Sequence, residues 1–413
     1  MTNMNKKNNY FFTSESVSKG HPDKVCDQIS DAILDAYLEN DKNAHVAVET
    51  MVTTNQVILA GEINSTAEVN VEDVVRNVIR SIGYTKEEYN FDCDTVNIIN
   101  LLHKQSPDIN QGVSRGSEEE QGAGDQGIMF GYATNETPDY IPLTLWLAHN
   151  ILKRLDEVRE CNVVKYLRPD AKSQVTIEFN EKNEPVHIDT ILISTSHDEF
   201  MRDNVVLRDE IVHDIIENDI TNLVINHFFI NDKGKKFAHL YDDKTKIIVN
   251  PTGKFVVCGP DGDSGVTGRK IIVDTYGGYG AHGGGAFSGK DTSKVDRSGA
   301  YMTRYIAKNI VATGLCDKCL IQISYAIGVA EPTSFNINTY GTNHTKYSDA
   351  ELSSEILKLI DLRPGMVEKN LNLRAPIYSK TASYGHFGHT CDGLCYPWEA
   401  LTLVDKFSQL LTK

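Results

Sequence analysis

Long apolar runs, positive charge and paired cysteines are what this 413-residue sequence has little of. No uninterrupted hydrophobic stretch approaches the ~20 residues of a membrane-spanning helix, so no membrane partner is expected. The opening Met-Thr-Asn-Met-Asn-Lys-Lys-Asn-Asn has no apolar centre of the secretory-leader kind, and a cytoplasmic location is the expectation. Lys and Arg number 41 against 57 Asp and Glu, a net charge of −16, which argues against nucleic acid as a partner. Eight cysteines in a chain of this length are not a disulfide scaffold. Cys316, Cys319, Cys391 and Cys395 have a spacing that zinc accepts, with His386 and His389 nearby. Cys319, however, opens an apolar, strand-like run, and reduced thiols are the stronger reading.

Ordinary globular composition, at 40% hydrophobic and 24% charged, leaves room for two or three cores. Hydrophobic periodicity gives a helix–strand–strand–helix order three times. The first unit has a helix from Pro22, strands at 45–52 and 56–63 turning at Thr54-Asn55, and a helix through Val71–Ile79. The second has a helix at 143–159, strands at 174–179 and 186–194, and a helix at 205–224. The third has a helix at about 298–314, strands at 320–329 and 333–340, and a helix at 349–362. The pattern repeats; residue identity does not. Lys270–Thr275 reads as a further strand. Gln105–Gly127 is a Gly/Ser/acidic run, too long for a plain connection and read as a mobile lid.

Seven of the thirteen residues from Gly277 to Gly289 are glycine. Glycine packs little and costs backbone entropy, but it lets N–H groups approach a ligand. From Arg269 to Lys308, seven basic residues face three acidic ones, a local +4 in an acidic chain. Clustered N–H groups and lysines suit phosphate, and a nearby Asp suits its divalent ion. A solvated linker would not mix glycine with His282, Phe287 and spaced Lys and Asp.

Gly284–Lys290 has the spacing of a P-loop, but Asp291 stands where Ser or Thr should hold magnesium, and a P-loop nucleotidase is disfavoured. Asp261-Gly-Asp263 begins like a calcium loop, but Ile272 at its twelfth position cannot chelate. Asp263 reads better as a pocket carboxylate. His21 and Asp23 sit at a helix start, where free N–H groups and the dipole favour anions. Glu49 and Glu62 lie amid apolar residues on the two arms of the first hairpin; a cation, an ammonium ligand or a plain salt bridge would each satisfy them.

Gly20-His-Pro-Asp-Lys24, Lys104-Gln-Ser-Pro-Asp-Ile-Asn-Gln-Gly112, Gly122-Ala-Gly-Asp-Gln-Gly127, Gly268-Arg-Lys-Ile-Ile-Val-Asp-Thr-Tyr-Gly-Gly278 and His282-Gly-Gly-Gly-Ala-Phe-Ser-Gly-Lys-Asp291 together resemble the S-adenosylmethionine synthetase family, from about Phe12 to Trp398. The resemblance implies an α+β fold of three similar α/β subdomains in pseudo-threefold arrangement, formed from non-contiguous segments. Their regions would be 12–135, with a gating loop at 105–127, then 136–270 and 271–400, interleaving across these boundaries. It implies synthesis of S-adenosylmethionine from ATP and L-methionine, then hydrolysis of the triphosphate to pyrophosphate and phosphate. It also implies Mg²⁺, two per site, and K⁺, in a homodimer with shared sites assembled as a homotetramer.

By the same resemblance, His21, Lys172, Arg269 and Lys290 would be catalytic and bind ATP. Asp125, Asp170, Lys254, Phe255, Asp263, Lys270 and Ala286 would complete the ATP site. Glu62, Gln105, Asp263 and Lys294 would contact methionine. Asp23 and Asp296 would hold Mg²⁺, and Glu49 K⁺. Two departures from the family pattern stand out. Gly299 replaces a common Ala, which should weaken its helix by up to roughly 1 kcal/mol, and His389 replaces a common Arg. The stretches 180–185 and 226–246 look like surface additions. A catalytically inactive regulatory homologue is the alternative, opposed by the intact charged set.

Overall fold

The computed structural model describes residues 9–104, 120–389 and 396–411. Residues 105–119 of the expected lid, Gln105–Gly127, and the Cys391/Cys395 pair lie outside them. Cys316 and Cys319 are buried free thiols.

In chain order the strands are β1 (Tyr10–Val17), β2 (His45–Thr53), β3 (Gln56–Asn64), β4 (Asn97–Lys104), β5 (Gly127–Thr134), β6 (Leu167–Phe179), β7 (Pro185–His197), β8 (Met201–Arg202), β9 (Val205–Val206), β10 (Lys246–Val249), β11 (Gly265–Val266), β12 (Lys318–Tyr325) and β13 (Ser334–Asn338). The helices that matter here are α1 (Pro22–Asn40), α2 (Val71–Ile82), α3 (Leu143–Glu160), α4 (Asp209–Asp219), α5 (Val295–Thr313) and α6 (Asp349–Leu357). They form three α/β units, each a helix, a two-stranded antiparallel hairpin and a second helix: α1-β2-β3-α2, α3-β6-β7-α4 and α5-β12-β13-α6.

The sheets interleave the chain. Their orders are β11-β2-β3-β4, β1-β6-β7-β10 and β13-β12-β5. Each hairpin therefore borrows a strand from elsewhere: β11 from residue 265 joins the first, the N-terminal β1 joins the second, and β5 joins the third. Strand β2 alternates buried Val46, Val48, Thr50 and Val52 with outward Ala47, Glu49 and Met51, the period-2 pattern of a half-buried strand. Helix α5 lies directly on β5, where a Cβ at Gly131 would stand 2.1 Å from the Thr303 backbone.

Three elements differ from expectation. Lys270–Thr275 is a helical turn, Ile271–Asp274, although β-branched residues favour strand. The turn delivers the Asp274 carboxylate to buried Lys24, so a tertiary contact overrides local preference. The single helix expected at 205–224 is a β8–β9 hairpin, helix α4 and a π-helical stretch, Ile220–Asn226. Asp203 and Asn204, both at positive φ (51° and 62°), make the turn. The segment 226–246 is not wholly superficial, because Phe228, Phe229, Phe237 and Leu240 are buried in the core.

Candidate active site

Helix α1 begins where β1 ends. Tyr84 donates its hydroxyl to the Gly20 carbonyl (2.6 Å), and Gly20 packs on Pro169, where a Cβ would lie 2.3 Å from the carbonyl oxygen. His21 is the N-cap and Pro22 opens the helix. The His21 Nδ1 accepts the Asp23 N–H at 3.2 Å, which leaves Nε2 as the protonated nitrogen of the neutral ring. Burial first, then the Lys270 and Lys172 charges, push the His21 pKa down to about 3. The imidazole is thus neutral at physiological pH.

Asp23 is buried and fully engaged. It accepts the Val266 N–H at 3.0 Å and Lys270 Nζ at 2.5 Å, with Arg269 Nε at 3.3 Å. Burial raises its pKa, but the Lys270 and Val266 hydrogen bonds outweigh this and keep it low. The β11 segment lies against the first turn of α1, where a Cβ at Gly265 would meet the Pro22 carbonyl at 2.2 Å. Lys172 extends from β6 at the rung it shares with Val17. Two residues before it, buried Asp170 accepts the Gly259 N–H at 2.9 Å, while its Oδ1 has no partner. Burial raises Asp170 to about 6, against the Gly259 hydrogen bond and the Lys172 charge. Asp263, on the same connection as Gly259, is exposed and adds to the rise.

The glycine-rich segment forms the other half. Gly289 (φ +80°) donates to Asp31 at 2.8 Å, and its carbonyl accepts the Val48 N–H at 3.0 Å. A Cβ there would stand 2.0 Å from the Val48 carbonyl, so glycine is required. Asp291, which breaks the P-loop pattern, is a lock. Its Oδ2 accepts the Val46 N–H at 2.7 Å, Lys294 pairs with it, and His45 lies 3.7 Å away. Burial opposes its ionisation, but Lys294 and His45 hold its pKa far below the carboxylate range. Lys290 reaches Asp296, in the first turn of α5, at 2.7 Å. Gly285 makes room for that carboxylate, since its Cβ would fall 2.3 Å from Asp296 Cγ. Ala286 joins the halves, its Cβ 2.4 Å from where a side chain on Gly268 would begin.

One feature escaped the sequence reading. Asp23, Asp27, Asp31 and Asp35 repeat every four residues along α1, and all four are buried. Asp27 takes Lys24 and the Gly268 N–H, Asp31 takes Arg297 and the Gly289 N–H, and Asp35 takes the N–H groups of Tyr378 and Ser379. This acidic rail fastens both halves of the site to one helix. Its signal was present as the i, i+4 spacing, which ordinarily marks a solvated face.

Other expected site residues lie apart, except Glu49, whose carboxyl is raised by burial against the nearby Lys290 charge. Glu49 and Glu62 point outward from the first sheet, and Glu62 Oε1 is 3.8 Å from His103. Asp125 is exposed and accepts the Gln126 N–H. Lys254 pairs with Glu199, and Phe255 accepts the His197 N–H at its carbonyl and donates its own N–H to the His197 ring at Nε2. Among the described residues, no hydrogen bond or ion pair ties Glu62, Asp125 or Lys254 to the His21–Asp23 or Lys290–Asp296 groups.

Three family models match along the chain: the N-terminal domain of S-adenosylmethionine synthetase at residues 9–107, the central domain at 120–255 and the C-terminal domain at 257–400. An S-adenosylmethionine synthase of Cytophaga hutchinsonii is 56% identical, the match covering 96% of this chain and 98% of that protein. Proteins of the same name from Flavobacterium psychrophilum (57% identity, 92% and 90% covered) and Porphyromonas gingivalis (54%, 96% and 92%) agree. The chain belongs to the S-adenosylmethionine synthetase family.

Proposed function

We propose that this chain is a methionine adenosyltransferase, making S-adenosylmethionine from ATP and L-methionine. The observation that carries the reading is the convergence of Arg269, Lys270, Lys172 and Lys290 on two helix N-termini, each with one Asp in its first turn. The methionine sulfur attacks C5′ of ATP, the C5′–O bond breaks, and the whole triphosphate departs. Water then splits it into pyrophosphate and phosphate. Alignment of two reactants and stabilisation of a polyanionic leaving group are the requirements, and no side-chain nucleophile is needed.

His21 Nε2–H is the donor to the departing oxygen. Its neutrality is a resting property: a polyanion beside it raises its pKa, so proton affinity grows as charge accumulates. Asp23 and Asp296 are hard oxygen donors set among phosphate-seeking cations, a set that fits Mg²⁺; two ions held there would neutralise triphosphate charge. Lys270 and Lys290, which pair with those carboxylates, would be free to meet phosphate oxygens if the carboxylates held metal. Glu49 is an exposed oxygen donor suited to K⁺. Asp263 and Asp170 face the nucleoside. Glu62 and Lys294, with Gln105 outside the described residues, serve methionine.

Asp125, Glu62 and Lys254 complete the site across a subunit boundary. On the outward face of the first sheet, Met51, Ile58 and Ile99 share one rung and Ala60 and Leu101 the next. Leu101 is 58% exposed and Met51 40%. Such an apolar sheet face favours a second copy of the chain, and it places Glu49 and Glu62 at that boundary. A tetramer would pair two such dimers. The intact charged set gives the inactive-homologue reading no support.

The test is incubation with ATP, methionine and Mg²⁺. A sulfonium product with equal phosphate and pyrophosphate is expected; ATP consumption without the sulfonium would sink the reading.

A further inference from the structure

A second cationic cavity, of about 330 Å³, lies between α3 and the C-terminal segment and shares no lining residue with the site above. Trp146, His149, Asn150 and Lys153 line it from one stripe of α3. Lys153, Lys233 and Lys380 bring three ammonium groups to it. Among the described residues, none of the three has a carboxylate within ion-pair distance. Lys153 has only the Tyr384 ring, 5.7 Å away. The one acidic group among the described lining residues, Asp139, accepts the Trp146 indole N–H at 2.7 Å. Among the described lining residues three positive charges stand against one negative, a sum of +2.

The two histidines add no charge. Burial, then the Lys153 charge, holds His149 well below its ordinary value and His389 at about 4. His389 Nε2 is bound to the Gly385 carbonyl at 2.6 Å. His149 Nδ1 is bound to Ser16 Oγ at 2.7 Å, but its buried Nε2 has no partner. Lys153 is half-buried and Lys233 and Lys380 are exposed, unlike the buried bases of the interior. Lys24, Arg297, Arg304 and Lys308 each meet a carboxylate within 3.0 Å. A half-buried charge without an ion pair is costly, and burial, then the Lys233 charge, lowers Lys153 to about 8 against the opposing Asp139 charge.

We propose that this cavity is a binding site for a small multivalent oxyanion of the phosphate class, held by Lys153, Lys233 and Lys380. Lysines act as mobile point charges toward phosphate. The inference does not rest on the transferase reading.

Calorimetric titration of inorganic pyrophosphate into the full chain tests it. Two binding events are expected. Lys153→Met should weaken one by about tenfold to a hundredfold, the loss of one charged hydrogen bond, while Arg269→Ala removes the other and spares it. Identical isotherms for wild type and Lys153→Met, or a single event lost in Arg269→Ala, would overturn the proposal. Melting in phosphate-free buffer is the second arm. Lys153→Met should melt higher than wild type, because an unpaired cation has gone. A lower melting point would mean that Lys153 has an internal partner, and the proposal would fail.

Discussion

Helices α1 and α5 are both 19 residues long, and both start at the proposed active site with an Asp in the first turn. Beyond that turn they are opposites. Helix α1 buries acids at Asp27, Asp31 and Asp35; α5 buries bases at Arg297, Arg304 and Lys308. The two meet once, in the bidentate Asp31–Arg297 pair at 2.7 and 2.8 Å. Arg297 also donates to the Phe287 carbonyl (2.9 Å) and Tyr301 hydroxyl (3.0 Å) and lies 4.2 Å over the Tyr378 ring. The Asp31–Arg297 junction thus holds the two halves of the proposed site in register. The first-turn acids differ too. Asp23 is 1% exposed with three partners, whereas Asp296 is a quarter exposed with Lys290. Asp296 is the freer to change partner.

The largest effect should come from the junction. Asp31→Ala strands Arg297 in the interior, and breaking a buried pair in this way costs about 3–5 kcal/mol. Chemical denaturation should show that loss. Replacing both partners, Asp31→Leu with Arg297→Met, should recover much of it. An unchanged stability for Asp31→Ala would mean that the helices do not depend on their junction.

His21, the cap of α1, comes next. His21→Ala should lower kcat by about 10²–10³, the range for losing one preorganised donor to a developing oxyanion, with little change in the KM for ATP. Equal loss in both would assign His21 to ground-state binding. Lys294, the corresponding cap of α5, makes no side-chain cap bond and pairs with Asp291, so the two caps are not equivalent.

The contrast extends to pH. Lys24 faces two acids, Asp27 and Asp274. Burial raises both carboxyls above their ordinary values, Asp274 to about 7, against the Lys24 charge. In that window the folded chain holds a proton that the unfolded chain releases, so stability falls as pH rises from about 4 to 7. On α5, Arg304 and Lys308 overcome burial and hold Glu399 down at about 2. Its contribution is present above about 4.5 and is lost as pH falls toward 2. Asp274→Asn should flatten the upper limb only, by at most one proton, or about 1.4 kcal/mol per pH unit. Melting temperatures across pH 3–8 would show a slope unchanged by the substitution if the triad does not titrate.

What was legible follows the same division. The three repeated units were readable because helices of 9–19 residues and alternating hairpins leave strong periodic signals. The first-turn residues His21 and Asp23, the glycines and Lys290 were readable from the chemistry of helix starts and phosphate. The rail was not, because an Asp every four residues reads as a wet face until Arg297 and the turn at Ile271–Asp274 arrive from more than 200 residues away. Asp291 appeared only as a fault in a P-loop, since its Val46 partner is 245 residues away. Long-range partners of buried charges leave no local pattern.

Gly299 offers the finest comparison, because α1 has no glycine and α5 has this one. The helix-start argument alone makes Gly299→Ala stabilising by up to roughly 1 kcal/mol. The packing opposes it. A Cβ would lie 3.3 Å from Met129 Cγ, 3.4 Å from its sulfur and 3.4 Å from the Tyr325 ring, closer than comfortable contact. Met129 has a flexible side chain that adjusts at little cost; Tyr325 does not, because its hydroxyl is tied to the Leu362 carbonyl at 2.6 Å. Part of the helical gain is therefore spent in displacing Met129 from β5. The expected outcome is a net stabilisation below about 0.5 kcal/mol, half the propensity value. Met129→Leu should turn that gain into a loss, because a branched side chain cannot move aside as methionine does. If Gly299→Ala alone destabilises the chain, the limit is the Tyr325 ring, and glycine is there to seat α5 on its sheet.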